Sequence, residues 1–172
     1  MKKFLLVAFV VMFAKSLVFG QSLNQNATVR ACMFLHPEDG AYFETYLVAG
    51  ANALKYVPLK PRGFAAGVDV QILITQGDKV LNFDKYRLNT PTVYDTAKID
   101  FSIIDQKRLF VPNVASVVEV KITDINDSLN SFTYTEVFSS FMTGVVQISD
   151  IQFAESYKMT SVKNNFTKNG VI

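Results

Sequence analysis

The chain has 172 residues, a formal net charge of +2, one cysteine and one histidine. A single cysteine excludes an internal disulfide, so a fold of this size must be held together by the packing of its core. The weak charge also excludes the strongly basic composition that is typical of nucleic-acid-binding proteins.

The first 20 residues are typical of a cleavable signal peptide. Lys2 and Lys3 precede an uninterrupted apolar run over residues 4–14. This run is too short to cross a bilayer, which takes about 20 helical residues, but it fits the apolar region of a signal peptide. Gly20 offers a small residue for cleavage before Gln21. We therefore expect export; a buried N-terminal strand or a membrane anchor is the alternative.

Loss of residues 1–20 changes the charge balance of the chain. These residues hold three lysines and no acidic side chain, so the formal net charge falls from +2 to −1. No basic face remains for a nucleic acid, and no transmembrane segment is expected after cleavage. Cys32 lies in an apolar run and is interpreted as a small core residue, with an intermolecular disulfide as the alternative.

Apolar alternations separated by turn residues predict β-strands along the rest of the chain. Residues 68–74 place Val and Ile at every second position, the period of a half-buried strand. Gly77 then predicts the turn of a β-hairpin whose second strand covers residues 80–88. The same alternation recurs at 99–103 and 118–122. The remaining predicted strands are 28–35, 41–49, 131–141 and 145–153.

Eight strands without a long helical periodicity indicate an all-β fold. We predict an antiparallel, immunoglobulin-like sandwich without a disulfide, with a closed barrel as the alternative. A polar lead-in covers residues 21–27, the sandwich 28–154, and a polar tail 155–172, where a truncated further domain could begin. The predicted core consists of Val70, Ile72, Ile74, Phe101, Ile103, Val118, Val120 and Ile122.

Three stretches of the chain resemble the N-terminal region of bacterial GWxTD-domain proteins. They are PEDGAYFETYLVAGANALKY (37–56), VDVQILITQGDKVLNFDKYRL (68–88) and VQISDIQFAESYKMT (146–160), and residues 107–127 follow a similar pattern. The Gly-Trp-x-Thr-Asp motif itself is absent, since the chain contains no Trp. The resemblance implies an exported β-sandwich module of a Gram-negative cell envelope, in the periplasm or at the outer membrane.

The residues that could carry catalysis are scattered. His36 has no nucleophile motif with which to form a triad, and one imidazole is too few for a metal site. Asp124, Asn126 and Asp127 offer oxygen atoms of the kind that Ca²⁺ prefers, but such residues also stabilise turns through their own backbone. Turn stabilisation is the preferred interpretation. We predict no enzymatic activity, no metal and no cofactor.

Tyr42, Tyr46 and Tyr56 are the candidate ligand-binding residues. Exposed together, their rings could stack on a sugar, but core packing is the preferred interpretation of all three. Thr96 and Ser128 each follow an Asp and precede an apolar residue in a predicted turn. The family resemblance implies bacteria of a kind that use this pattern for O-glycosylation of exported proteins, so both residues are candidate sites. We expect a non-enzymatic binding or structural module that contacts an envelope protein, with a carbohydrate-binding module as the alternative.

Overall fold

The computed structural model describes residues 22–36, 40–142, 144–151, 153, 156–162, 167 and 171. The predicted signal peptide (1–20) and the turn residues 37–39 lie outside the described residues. The elements in chain order are α1 (Leu23–Asn26), β1 (Ala27–His36), β2 (Gly40–Gly50), a 3₁₀ turn (Ala51–Ala53), β3 (Val57–Pro58), β4 (Phe64–Ala65), β5 (Gly67–Gln76), β6 (Lys79–Asn89), a second 3₁₀ turn (Thr96–Lys98), β7 (Ser102–Phe110), β8 (Ser116–Asp124) and β9 (Asp127–Phe138).

The long strands of the described chain form two antiparallel sheets. One sheet has the order β1-β2-β7, the other has the order β6-β5-β8-β9, and β3 pairs with β4 alone. Every pairing between these strands is antiparallel. Cys32 is a free thiol. The prediction of an all-β antiparallel fold without an internal disulfide is therefore confirmed.

The core lies between the two sheets, and both supply it with apolar side chains. Phe43 of β2 packs edge-on against Phe138 of β9, with ring centroids 4.8 Å apart. Because side chains alternate along a strand, each sheet presents one apolar face. The fully buried apolar residues of β5 and β8 are Val68, Val70, Ile72, Ile74, Val118, Val120 and Ile122.

The predicted core is confirmed at six of its eight positions, whereas Phe101 and Ile103 are only half-buried. The predicted strand 99–103 is wrong at both ends, because β7 begins at Ser102 and continues to Phe110. Asp105 and Lys107 face the space between the sheets and break the apolar alternation there. Both side chains are satisfied by β6: Tyr86 donates its hydroxyl to Asp105, and Asp84 pairs with Lys107 at 3.0 Å.

The predicted strand 145–153 is wrong for the part that the structure describes. Residues 144–151 form no strand, and Val146 and Ile148 are 100% and 84% exposed. A strand needs a partner for its backbone groups, and this segment contacts a sheet backbone only where Asp150 meets Met33, at least among the described residues.

The end of the sandwich beside α1 is held by polar side chains. Leu23 is buried, and its N–H donates to Asn130 at 2.9 Å, so the predicted polar lead-in is part of the fold. Asp124 accepts hydrogen bonds from the N–H groups of Lys55 (2.7 Å) and Asn126 (2.8 Å). These bonds match the predicted turn-stabilising role of Asp124. None of the described helices is both long and apolar enough to cross a membrane.

Candidate protein-binding face

The β1-β2-β7 sheet has a second face that points away from the core. Its core-facing residues, among them Phe43, Leu47 and Leu109, have odd numbers. Alternation therefore places the even-numbered residues on the opposite side, which we call the outer face. It consists of Thr28, Arg30, Cys32 and Phe34 of β1, Tyr42, Glu44, Tyr46 and Val48 of β2, and Ile104, Gln106, Arg108 and Phe110 of β7.

The register of the strands arranges the outer face in four rows across the sheet. Direct neighbours on adjacent strands have their Cβ atoms about 4.5–5.5 Å apart, so each row can act as a unit. The rows are Phe34–Tyr42–Phe110, Cys32–Glu44–Arg108, Arg30–Tyr46–Gln106 and Thr28–Val48–Ile104.

Glu44 lies at the centre of the outer face and is fully buried. Its Oε1 accepts hydrogen bonds from Arg108 Nε (3.0 Å) and Nη2 (2.7 Å). Its Oε2 accepts the hydroxyl of Tyr46 and the amide of Gln106, the latter at 3.4 Å. Bonds between an ionised donor and acceptor are about twice as strong as neutral ones. The charge of the buried carboxylate is therefore compensated from the neighbouring strand.

Tyr42 joins the aromatic row to this ion pair. Its ring stacks on Phe34 with centroids 5.5 Å apart and contacts Phe110 at 5.7 Å. The guanidinium carbon of Arg108 lies 4.9 Å from the Tyr42 ring centroid, within the range of a cation–π contact. Burial raises the pKa of Tyr42, and the negative charge of Glu44 raises it further. The phenol is therefore neutral at physiological pH.

Tyr46 is tied to the same carboxylate. Burial raises its pKa well above the usual value, and the hydrogen bond to Glu44 adds to this rise. A phenol that keeps its proton remains a donor to Glu44. Tyr46 is therefore a neutral hydrogen-bond donor to the buried carboxylate and not a base.

The margins of the outer face expose apolar side chains to solvent. Ile104 is 76% exposed and lies beside Val48, which is also exposed. Phe110 is exposed at the opposite end of β7. Near that end the carbonyl of Thr167 accepts a 3.5 Å hydrogen bond from Arg108 Nη1. The outer face thus combines a buried ionic centre with an exposed apolar margin at Val48 and Ile104.

The structure brings two of the three predicted ligand tyrosines together. Tyr42 and Tyr46 share the outer face of β2, whereas Tyr56 lies between the first 3₁₀ turn and β3 and packs against the core. Tyr42 is buried and the other two are half-buried. The three rings therefore do not form one exposed aromatic surface on which a sugar could stack.

Sequence reasoning missed Glu44 and Arg108, which organise the outer face. The sequence offers one signal. Glu44 lies between Tyr42 and Tyr46 at a spacing of two residues, so all three side chains are expected on the same face of a strand. The cation that pairs with Glu44 is 64 residues further along the chain, at a position that only the β2–β7 register reveals.

The predicted turn placement is confirmed for Thr96 but wrong for Ser128, which lies in β9. In both cases the preceding Asp accepts a hydrogen bond from the N–H two residues further along the chain. Asp95 accepts a hydrogen bond from the N–H of Ala97 (3.0 Å), and Asp127 accepts one from Leu129 (3.2 Å). The intervening Thr96 and Ser128 are both exposed, Thr96 in a 3₁₀ turn and Ser128 near the start of β9. Their modification stays a prediction.

The absence of enzymatic activity stays a prediction. His36 is the last residue of β1. No group of three His, Cys, Asp or Glu side chains in the described part of the chain could hold a metal ion.

Comparison with known proteins returned no relative: no protein-family model, curated protein or solved structure matches the chain. The resemblance to GWxTD-domain proteins therefore stays a prediction from sequence.

Proposed function

We propose that this chain is an exported, non-enzymatic binding module that contacts a protein of the bacterial cell envelope through its outer face. The observation that carries this proposal is the exposed apolar pair of Val48 and Ile104 beside a buried arginine–carboxylate centre. Large contiguous apolar patches on soluble proteins usually mark interaction sites, and Val48 and Ile104 would form the apolar part of such a site.

The composition of the outer face supports protein recognition. Interfaces between proteins are enriched in tyrosine, phenylalanine and arginine, and their strongest contributors lie in well-packed positions near the centre. Tyr46 and Arg108 are packed in this way and stay partly exposed, since each bonds to the buried Glu44. A partner would therefore meet a rigid surface and lose little free energy in ordering it.

The charges of the outer face indicate what the partner offers. Arg108 is neutralised by Glu44, whereas Arg30 is exposed on the same face. Complementary charges across an interface select the partner and orient it. The matching protein surface therefore presents apolar side chains to Val48 and Ile104 and a carboxylate to Arg30.

Export and the immunoglobulin-like topology belong to the same proposal. The signal-peptide pattern of residues 1–20 supports export, and the family resemblance supports a Gram-negative envelope. The order β6-β5-β8-β9 corresponds to an immunoglobulin GFC sheet extended by one strand next to strand C.

A carbohydrate-binding module is the alternative, and it would need a surface other than the three tyrosines. An open polar cleft beside α1 is lined by Asn24, Asn52, Lys55 and Asp127, among others. Its described lining residues include no aromatic ring, so stacking would not contribute to sugar binding there. The outer face has the stronger support.

In-cell photo-cross-linking tests the proposal and identifies the partner. A photoreactive amino acid replaces Ile104 in the exported protein, and the same substitution at Leu129, which is exposed near the start of β9, is the matched control. We expect one discrete protein adduct from position 104, lost with Val48→Asp. The absence of an adduct, or the same adduct from position 129, would contradict the proposal.

A further inference from the structure

Among the described strands, β1 pairs only with β2, so its other edge has no strand partner there. Met33 directs both backbone groups away from β2: its N–H donates to Asp150 Oδ2 (2.7 Å), and its carbonyl accepts from the N–H of Asp150 (3.3 Å). Backbone direction alternates in an antiparallel pair, and the β1–β2 register has no shift. Val29, Ala31 and Leu35 therefore direct their backbone groups outward as well.

Few of these outward groups are satisfied. The N–H of Ala31 donates to the hydroxyl of Tyr134 at 3.2 Å. The outward groups of Val29 and Leu35 and the carbonyl of Ala31 have no hydrogen-bond partner among the described residues. Such a row of backbone groups is a template for another strand.

A groove beside this edge has room for a strand. It lies between β1 and β9, has a volume of roughly 600 Å³ and is open to solvent. Ala31 lines one side, Tyr134 and Phe138 line the other, and Asp150 contributes to the lining. Side chains directed toward the core from an added strand would therefore meet two aromatic rings.

The chain contains a segment with the pattern of such a strand. Val146 and Ile148 alternate with Gln147 and Ser149, and residues 145–153 contain neither Gly nor Pro. Val146 and Ile148 are among the most exposed apolar residues of the described chain. An alternating apolar segment of this kind is stabilised only when its backbone and one face are covered.

In the register of the contact that the structure shows, the apolar residues of the segment do not reach the groove. Continued as an antiparallel register, the contact between Met33 and Asp150 would place Ile148 opposite Leu35 and Val146 beyond His36, where β1 ends. In this register neither apolar side chain lies opposite the β1 residues that line the groove (29–32). A second copy removes this restriction.

We propose that two copies of this chain associate by exchanging residues 145–151, each segment adding as an antiparallel strand to β1 of the other copy. The proposed pairing is shifted by four residues from the register of the Met33–Asp150 contact. It places Val146 opposite Met33 and Ile148 opposite Ala31. Both side chains then face the groove between β1 and β9. The exchange is reciprocal and closes as a twofold-symmetric dimer. The groove adjoins the outer face at Arg30 and Cys32, but the two proposals are tested at different residues, Ile104 for the outer face and Ile148 for the exchange, so either can fail without the other.

Light scattering on the full exported chain over a concentration series tests this proposal. We expect a dimer at high concentration, and at least a tenfold weaker association for Ile148→Asp. Val162→Asp is the matched control, since Val162 is an exposed valine outside the segment. A monomer at every concentration, or equal effects of the two variants, would overturn the proposal. Circular dichroism checks that both variants remain folded.

A second variant tests the acceptor edge without altering the segment. Val29→Pro removes an outward N–H opposite Asp150 in the proposed register but no hydrogen bond between β1 and β2, and proline is tolerated in this way on edge strands. Val29→Ala shortens the same buried side chain, keeps the N–H and is the control. We expect only the proline variant to weaken dimer formation, and an unchanged dimer would overturn the assignment of the edge.

Discussion

Glu44 and Arg108 lie directly opposite each other on β2 and β7, and two nitrogens of Arg108 donate to one carboxylate oxygen of Glu44. This pair lies on the side of the sheet that points away from the core, yet Glu44 is fully buried. A buried charge is tolerated when its partner and hydrogen bonds are complete. Each outer-face residue that bonds to Glu44 therefore helps to keep the face in one arrangement.

Arg108→Leu should lower the free energy of unfolding by about 3–5 kcal/mol, because it removes a cation that donates two hydrogen bonds to the buried Glu44 carboxylate. Replacing both residues with leucine should cost much less, since no uncompensated charge remains. Urea denaturation measures both variants. Arg87→Leu, which breaks the exposed pair with Asp69, is the control and should have a much smaller effect. A double variant as unstable as the single one would contradict the role of the pair.

Alkaline pH should destabilise the fold through Tyr46. Its pKa is raised in the folded chain, mainly by burial and then by Glu44, so the folded state retains a proton that the unfolded state loses. The stabilisation is complete below the ordinary tyrosine pKa of about 10 and is lost as the pH rises above it. Denaturation between pH 8 and 11 should show a shallower decline for Tyr46→Phe. Identical slopes for the two proteins would count against this interpretation.

Ile72→Ala should lower the free energy of unfolding by about 2–4 kcal/mol, because it opens a cavity at a fully buried position. Val146→Ala, which also shortens an apolar side chain, should have almost no effect on the stability of the monomer, since Val146 is exposed. Thermal or urea denaturation at low protein concentration compares them. Equal losses in the two variants would mean that the core is assigned wrongly.

The exported protein should begin at Gln21, with its first residue cyclised to pyroglutamate. Intact-mass spectrometry of the secreted or periplasmic form measures this directly. Retention of residues 1–20 would refute the signal peptide. The same spectrum reports added mass, which Thr96→Ala and Ser128→Ala should remove if those residues carry glycans.

Much of the fold could be predicted because the apolar side chains of the core have a period of two. The hairpin around Gly77 and the strand at 118–122 were located within two residues at each end. β7 was misplaced because Asp105 and Lys107 face inward and are paired with β6 across the space between the sheets. The segment 145–153 has the composition of a strand but no strand partner among the described residues.

The candidate site could be predicted only in part. Tyr42 and Tyr46 were identified by residue type, and a strand period of two places them on one face. Tyr56 was grouped with them because it is close in sequence. A 3₁₀ turn separates it from β2, so strand alternation does not predict on which side of the sheet it lies. The pairing of Glu44 with Arg108 depends on which strands are neighbours, and alternation within one strand carries no information on that.

The binding affinity of the partner identified by cross-linking at position 104 tests the central claim most directly. Isothermal titration calorimetry would compare the unsubstituted protein with Ile104→Asp and with Leu129→Asp, which places the same charge at an exposed leucine outside the outer face. We predict that Ile104→Asp weakens binding at least tenfold, whereas Leu129→Asp leaves it within twofold. Unchanged affinity for Ile104→Asp would contradict the assignment of the outer face as the protein-binding surface.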